Sequence, residues 1–234
     1  MKRVRRILLV ATLPLLACVP CARAASLAAL ESGASALETE LLLAAPTLRP
    51  AALRGALAAW NGLELNGELS RPLLTVIDYG LPSTVKRLWV FDLASHRLLF
   101  HELVAHGRNS GDDLARSFSN DVGSLMTSLG AFVTGATYNG RNGYSLRLRG
   151  MEVGVNDRAE ERAIVLHGAP YVGDAVAHEL GRLGRSYGCP AVRPAIARTL
   201  IDELKDRTLL YAWHPSMTRP PQSARTNVTF IATR

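Results

Sequence analysis

The stretch Gly181-Arg182-Leu183-Gly184-Arg185-Ser186-Tyr187-Gly188-Cys189-Pro190-Ala191-Val192 decides how this chain is read. It sets one cysteine in a glycine-rich bend, with Arg182, Arg185 and the Ser186 hydroxyl close by in sequence. Upstream, the apolar run from Arg162 to Leu166 ends on His167-Gly168, so a histidine leaves a strand into a glycine. A thiol, an imidazole and a backbone free to bend are the ingredients of thiol acyl transfer. Taken singly, a cysteine is more often a small core residue and a strand-end histidine more often structural. Their combination with the Ser-x-Gly-Cys bend shifts the reading toward catalysis.

The N-terminus sharpens that reading. Met1-Lys2-Arg3-Val4-Arg5-Arg6 is cationic, Ile7 to Val19 is apolar, and Ala22-Arg23-Ala24 has small residues at both positions that signal peptidases read. Residues 1–24 are therefore expected to be an export signal cut after Ala24, with no stable membrane span, and the mature chain to be periplasmic or in the cell envelope. The box Leu15-Leu16-Ala17-Cys18 gives the alternative of a lipid-modified Cys18. The leader carries five of the 27 basic residues and none of the 20 acidic ones, which leaves 22 against 20. The basic excess belongs to the leader, and no nucleic-acid surface follows from it. Of the three cysteines only Cys189 lies beyond the leader, so it has no intrachain disulfide partner.

About 210 mature residues suit a single domain. Residues 25–69 read as a helical segment: Ser35 and Glu38 form a capping box ahead of Leu37, Leu41 and Leu42, and Pro50 opens a second helix carrying Leu53, Leu57 and Trp60. From Leu73 the pattern turns to strands. Leu73 to Asp78, Arg87 to Leu93 and Arg97 to Ala105 are expected strands, the last two a hairpin turning at Ala94-Ser95-His96. Leu88-Trp89-Val90-Phe91 is apolar on both faces, which calls for cover on both sides, as in a sandwich or a closed sheet. Residues 112–129 read as irregular. Strands resume at Ala131 to Thr137 and Tyr144 to Arg149 around a turn at 138–143, and again at Arg162 to Leu166. Pro194 opens a helix lined by Ile196, Leu200 and Leu204, with Arg198 and Asp202 spaced to pair, and Leu209 to Trp213 is the last clear strand. The expected class is mainly β (α+β): mixed sheets or a sandwich, short N-terminal helices and a helix after the cysteine. The expected divisions are a catalytic domain over 70–218 and a tail over 219–234.

His167-Gly168 followed by Ser186-Tyr187-Gly188-Cys189 resembles the active-site signature of the YkuD-like L,D-transpeptidase catalytic domain, in particular the murein L,D-transpeptidase catalytic domain subgroup. The similarity extends over Val104-Ala105-His106-Gly107, Asn109-Ser110-Gly111, Phe118-Ser119-Asn120, Ser128-Leu129-Gly130 and Gly143 to Leu148. Where the wider family has a histidine before the motif's glycine and an arginine or asparagine two residues after the cysteine, this chain has Tyr187 and Ala191. The resemblance implies a cysteine enzyme that acts on peptidoglycan tetrapeptide stems through a thioester. Water in place of the acceptor amine would make it an L,D-carboxypeptidase, and a silent wall-binding module is the non-catalytic alternative.

For acyl transfer the expected catalytic residues are Cys189 as nucleophile and His167 as its base. Backbone N–H groups of Tyr187, Gly188 and Cys189 are the candidate oxyanion donors. Ser186, Arg185, Gly168 and His106 are the candidate substrate-site residues; His106 either lines the cleft or caps a turn, and Arg185, like Arg182, either binds substrate carboxylates or is solvated surface. No metal site is expected: His178-Glu179 starts a zinc-protease pattern, but Arg182 stands where the second ligand belongs. No cofactor is called for, and the expected state is a monomer.

Overall fold

The computed structural model describes residues 36–218. The expected capping box at Ser35, the expected leader and the expected 219–234 tail lie outside them. Residues 36–44 are helical (α1), and α2 runs over Pro50–Leu65, with proline at its start where no N–H is needed. The strands are β1 (Leu73–Asp78), β2 (Leu88–Asp92), β3 (Arg97–Glu102), β4 (Gly130–Gly140), β5 (Gly143–Gly150), β6 (Val165–Gly168), β7 (Ala191–Val192) and β8 (Leu209–Trp213). Two further helices are α3 (Asp174–Leu180) and α4 (Pro194–Leu204). The protein is mainly β with short helices, as expected.

All eight strands form one mixed sheet in the order β3-β2-β1-β8-β4-β5-β6-β7. β1, third in that order, is buried along its whole length and lies antiparallel to β2 and parallel to β8. The two ends of the ladder meet. Ala105, just past β3, bridges Ala191 of β7 and donates its N–H to the Ala191 carbonyl at 2.8 Å. Arg193 clamps Glu102 beside this seam, Nε to Oε2 at 2.8 Å and Nη2 to Oε1 at 2.7 Å. Of the two architectures the apolar hairpin allowed, the nearly closed sheet is the one formed, and closure covers strand edges that would otherwise stay open.

Period-two alternation divides the core. Leu88 and Val90 point into a cluster with Ile77, Phe132, Leu146, Val165 and the buried face of α4, Leu200, Ile201 and Leu204. Trp89 and Phe91 point the other way, toward Val76, Val133, Tyr211 and the face of α2 that carries Leu53, Ala56 and Leu63. The expected N-terminal helical segment therefore packs directly on the sheet through α2, whose packing residues form part of this second core.

Two local expectations are corrected. The β4–β5 turn is two residues, Arg141-Asn142, because Tyr138 and Asn139 stay paired with Ser145 and Tyr144; Gly143 takes the positive φ of 74°. Arg198 and Asp202 do not pair with each other. Tyr144 stands between them, donating its hydroxyl to Asp202 Oδ1 at 2.6 Å while Arg198 lies 4.4 Å over its ring. Nothing in the apolar pattern marked α3, which buries no residue.

Candidate active site

β6 carries the imidazole and β7 brings in the thiol. His167 stands opposite Ser145 of β5 and Ala191 of β7, and its N–H reaches the Pro190 carbonyl at 3.4 Å. This parallel register draws Cys189, two residues before β7, against the start of β6. There Sγ accepts the Val165 N–H at 3.5 Å and lies 3.7 Å from the Ala163 carbonyl. Cys189 is 8% exposed. Cys189 and His167 both line a cleft of about 520 Å³ together with Ser186, Tyr187, Tyr171, Asn142 and four arginines, 108, 141, 182 and 185.

The pair is poised as two neutral groups. His167 Nδ1 lies 3.0 Å from the Gly168 carbonyl. A carbonyl only accepts, so Nδ1 carries the proton and the Nε2 lone pair is left free for a base. Burial lowers the His167 pKa, against the pull of that hydrogen bond, so the ring is uncharged at neutral pH. Burial pushes the Cys189 thiol up, opposed by the Val165 N–H and the Arg162 charge. The resting site holds a thiol and a neutral imidazole, and the thiolate forms only when the proton moves.

Ser186 organises the bend. Its N–H donates to the His106 carbonyl at 3.0 Å, its hydroxyl donates to the Cys189 carbonyl at 2.6 Å, and the same oxygen accepts the Gly188 N–H at 3.1 Å. The Gly188 N–H, one of the expected oxyanion donors, is thus already used. The Tyr187 and Cys189 N–H groups have no hydrogen-bond partner among the described residues and remain available. Glycine is required at 188: φ is +121°, and a Cβ there would stand 2.7 Å from the Met126 carbonyl. Gly168 admits α4, since a Cβ would fall 2.8 Å from the Ala197 Cβ.

His106 is not in the cleft. It is fully buried, accepts Arg87 Nη2 at Nδ1 over 2.7 Å, and directs Nε2 toward the Gly111 carbonyl at 3.3 Å. Burial, with the Arg87 charge second, holds its pKa down to about 4. Its part in the site is indirect, through the carbonyl that fixes Ser186. Arg185 does line the cleft, with Nη1 tied to the Gly111 carbonyl at 3.0 Å and Asp112 Oδ1 at 2.8 Å. Tyr187 is 64% exposed, beneath the Arg108 guanidinium at 5.9 Å.

The arginines that matter most were not read from sequence. Arg87 donates to Val104 and Leu81 carbonyls as well as to His106. Arg162 donates to the Ser119 carbonyl at 2.7 Å, the Met126 carbonyl at 2.6 Å and the Ser128 hydroxyl, which ties the irregular segment behind Cys189. Both stand at the first position of an expected strand, and no local pattern marks a buried guanidinium. Among the described residues no group of three or more His, Cys, Asp or Glu side chains could hold a metal, and no helix is long and apolar enough to cross a membrane. A second cavity, about 550 Å³ and lined by Arg147, Arg149, Arg207, Glu68 and Glu160, contains neither thiol nor imidazole.

The family model of the L,D-transpeptidase catalytic domain matches residues 44–213, a span that includes α2, the whole sheet, His167 and Cys189. The chain belongs to the L,D-transpeptidase catalytic domain family. No curated protein matches it. Among solved structures, an L,D-transpeptidase from Mycobacterium smegmatis is 11% identical at a TM-score of 0.36, over 62% of this chain and 68% of that one. The L,D-transpeptidase LdtMt1 in complex with imipenem is 12% identical at 0.37, over 62% and 69%. The helical cell shape determining protein Pgp2 from Campylobacter jejuni is 13% identical at 0.36, over 61% and 44%. At these scores the likenesses add nothing to the family assignment. Within the L,D-transpeptidase catalytic domain, the cleft with the thiol and the imidazole is the candidate active site.

Proposed function

We propose that this chain is an exported L,D-transpeptidase that transfers an acyl group between peptidoglycan peptide stems through a thioester on Cys189. The observation that carries the reading is the Cys189 thiol and the His167 imidazole lining one cleft, with His167 Nδ1 held on the Gly168 carbonyl so that Nε2 is left free.

Cys189 Sγ attacks the carbonyl carbon of the donor stem while His167 Nε2 takes the thiol proton. The Tyr187 and Cys189 N–H groups face the developing oxyanion, each contributing on the order of 3 kcal/mol. The C–N bond breaks, the leaving amine collects the proton from His167, and a thioester remains. An amine of a second stem then attacks the thioester and gives its proton to His167. The C–S bond breaks, the new amide is released, and sulfur recovers the proton. Water in place of the amine would shorten the stem instead of joining two.

Purified disaccharide tetrapeptides incubated with the mature protein test the scheme, with products read by mass spectrometry. Crosslinked dimers that vanish in Cys189→Ala are expected. Shortened monomers alone would replace transfer by hydrolysis, and no product from either protein would refute the enzymatic reading. The export leader is tested by the mass of the envelope-derived protein, which is expected to begin at residue 25; an intact Met1 would refute it.

A further inference from the structure

The cleft around Cys189 and His167 contains four guanidinium groups and no carboxylate. That is not a reflection of composition, because beyond the leader the chain is almost balanced, 22 basic residues to 20 acidic. Nor are the charges neutralised in place. Arg108, Arg141 and Arg182 have no ion-pair partner among the described residues, and the acid paired with Arg185, Asp112, has a side chain 83% exposed and well screened. Like charges gathered around one cavity repel each other, a cost that an anionic ligand removes.

The charges also come from both sides of the chemistry. Arg182 and Arg185 arrive with the cysteine bend, and Arg108 lies against it, its N–H on the Ser186 carbonyl at 2.8 Å. Arg141 comes with Asn142 from the two-residue tip of the β4–β5 hairpin, four residues before the Ser145 that pairs with His167. Charge therefore flanks the thiol on its own side and the imidazole on the other. Guanidinium groups take carboxylates in bidentate fashion, and a carboxamide offers neither the charge nor the second acceptor oxygen.

We propose that the cleft selects peptides whose carboxylates are free over the same peptides with those carboxylates amidated, and that Arg141 at the hairpin tip is a specificity-determining residue on the His167 side. The proposal rests on the acyl-transfer reading, since it concerns the substrate of that same site.

The test compares two synthetic tetrapeptide stems, identical except that the side-chain carboxylates of one are carboxamides, with thioester formation on Cys189 and turnover followed by mass spectrometry. The free-acid stem is expected to show a kcat/KM roughly tenfold higher per carboxylate converted, and the difference to shrink as salt is raised. Arg141→Gln is expected to lose most of the preference at unchanged Tm, and Arg141→Glu to favour the amidated stem. Arg182→Gln, on the cysteine side, serves as a second variant and is expected to narrow the preference as well. Equal kcat/KM for both stems in the wild type would overturn the selectivity while leaving acyl transfer standing. Absence of any thioester with either stem would instead strike at the acyl-transfer reading itself. A preference that survives in all three variants would also overturn the assignment to these arginines.

Discussion

Replacing Arg87 by methionine probes the deepest polar cluster beneath the site. The guanidinium is fully buried, and three acceptors depend on it: the Val104 carbonyl at 2.9 and 3.1 Å, the Leu81 carbonyl at 2.7 Å and His106 Nδ1 at 2.7 Å. Burial lowers its pKa to about 10, so it remains charged at neutral pH. Methionine fills much of the volume but donates nothing. Each stranded acceptor costs about 1–3 kcal/mol, and removing the buried charge returns part of that, for a net loss of about 4 kcal/mol. In a domain of this size each kcal/mol corresponds to roughly 2–4 °C, so Tm should fall by about 8–16 °C. The site should loosen as well, because His106 holds Ser186 and Ser186 holds the Cys189 carbonyl. Thermal unfolding by circular dichroism measures the first effect, and the iodoacetamide alkylation rate of Cys189 in the folded protein measures the second. A Tm within about 3 °C of wild type would show that Arg87 is dispensable to the fold and refute the argument.

The pH behaviour of the catalytic pair should be that of two neutral groups. Turnover is expected to fall as pH drops through a His167 pKa below its ordinary 6.5, while alkylation of Cys189 keeps rising at alkaline pH and shifts further upward in Arg162→Met, which removes a nearby charge. Alkylation already at its plateau at pH 6 would mean a resting thiolate and sink this picture. His106 should make the fold acid-sensitive: a base whose folded pKa of about 4 lies below its unfolded 6.5 contributes full stability above pH 6.5 and loses it as pH falls toward 4, on the order of 3 kcal/mol in all. Buried Asp78 and Glu152, raised by desolvation, act in the opposite sense, so the contribution is read as the difference in urea midpoints between wild type and His106→Gln from pH 7.5 to 4.5, and parallel curves would refute it. Gly188→Ala should cost roughly 2 kcal/mol or more through its φ of +121° and the Met126 carbonyl, and should slow thioester formation; wild-type stability and rate would show that the bend tolerates a side chain.

What the sequence alone determined was local. Unbroken apolar runs placed β1 at Leu73–Asp78 and β8 at Leu209–Trp213, prolines marked the starts of α2 and α4, and the run into His167-Gly168 with the Ser-x-Gly-Cys bend named the thiol and the imidazole. These signals act between residues two to four positions apart, which is why one chain suffices to read them. Tertiary structure decided the rest. It buried His106, which sequence had put in the cleft, and set it on an arginine 19 positions earlier. It used the Gly188 N–H on Ser186 and left those of Tyr187 and Cys189 free. It closed the sheet by joining Ala105 to Ala191, and it gathered Arg108, Arg141, Arg182 and Arg185 from separate segments around one thiol. Whether an arginine is solvated or buried, and which acceptor a backbone N–H finds, depends on atoms brought close by the fold from positions far apart in the chain, and no short-range pattern records that.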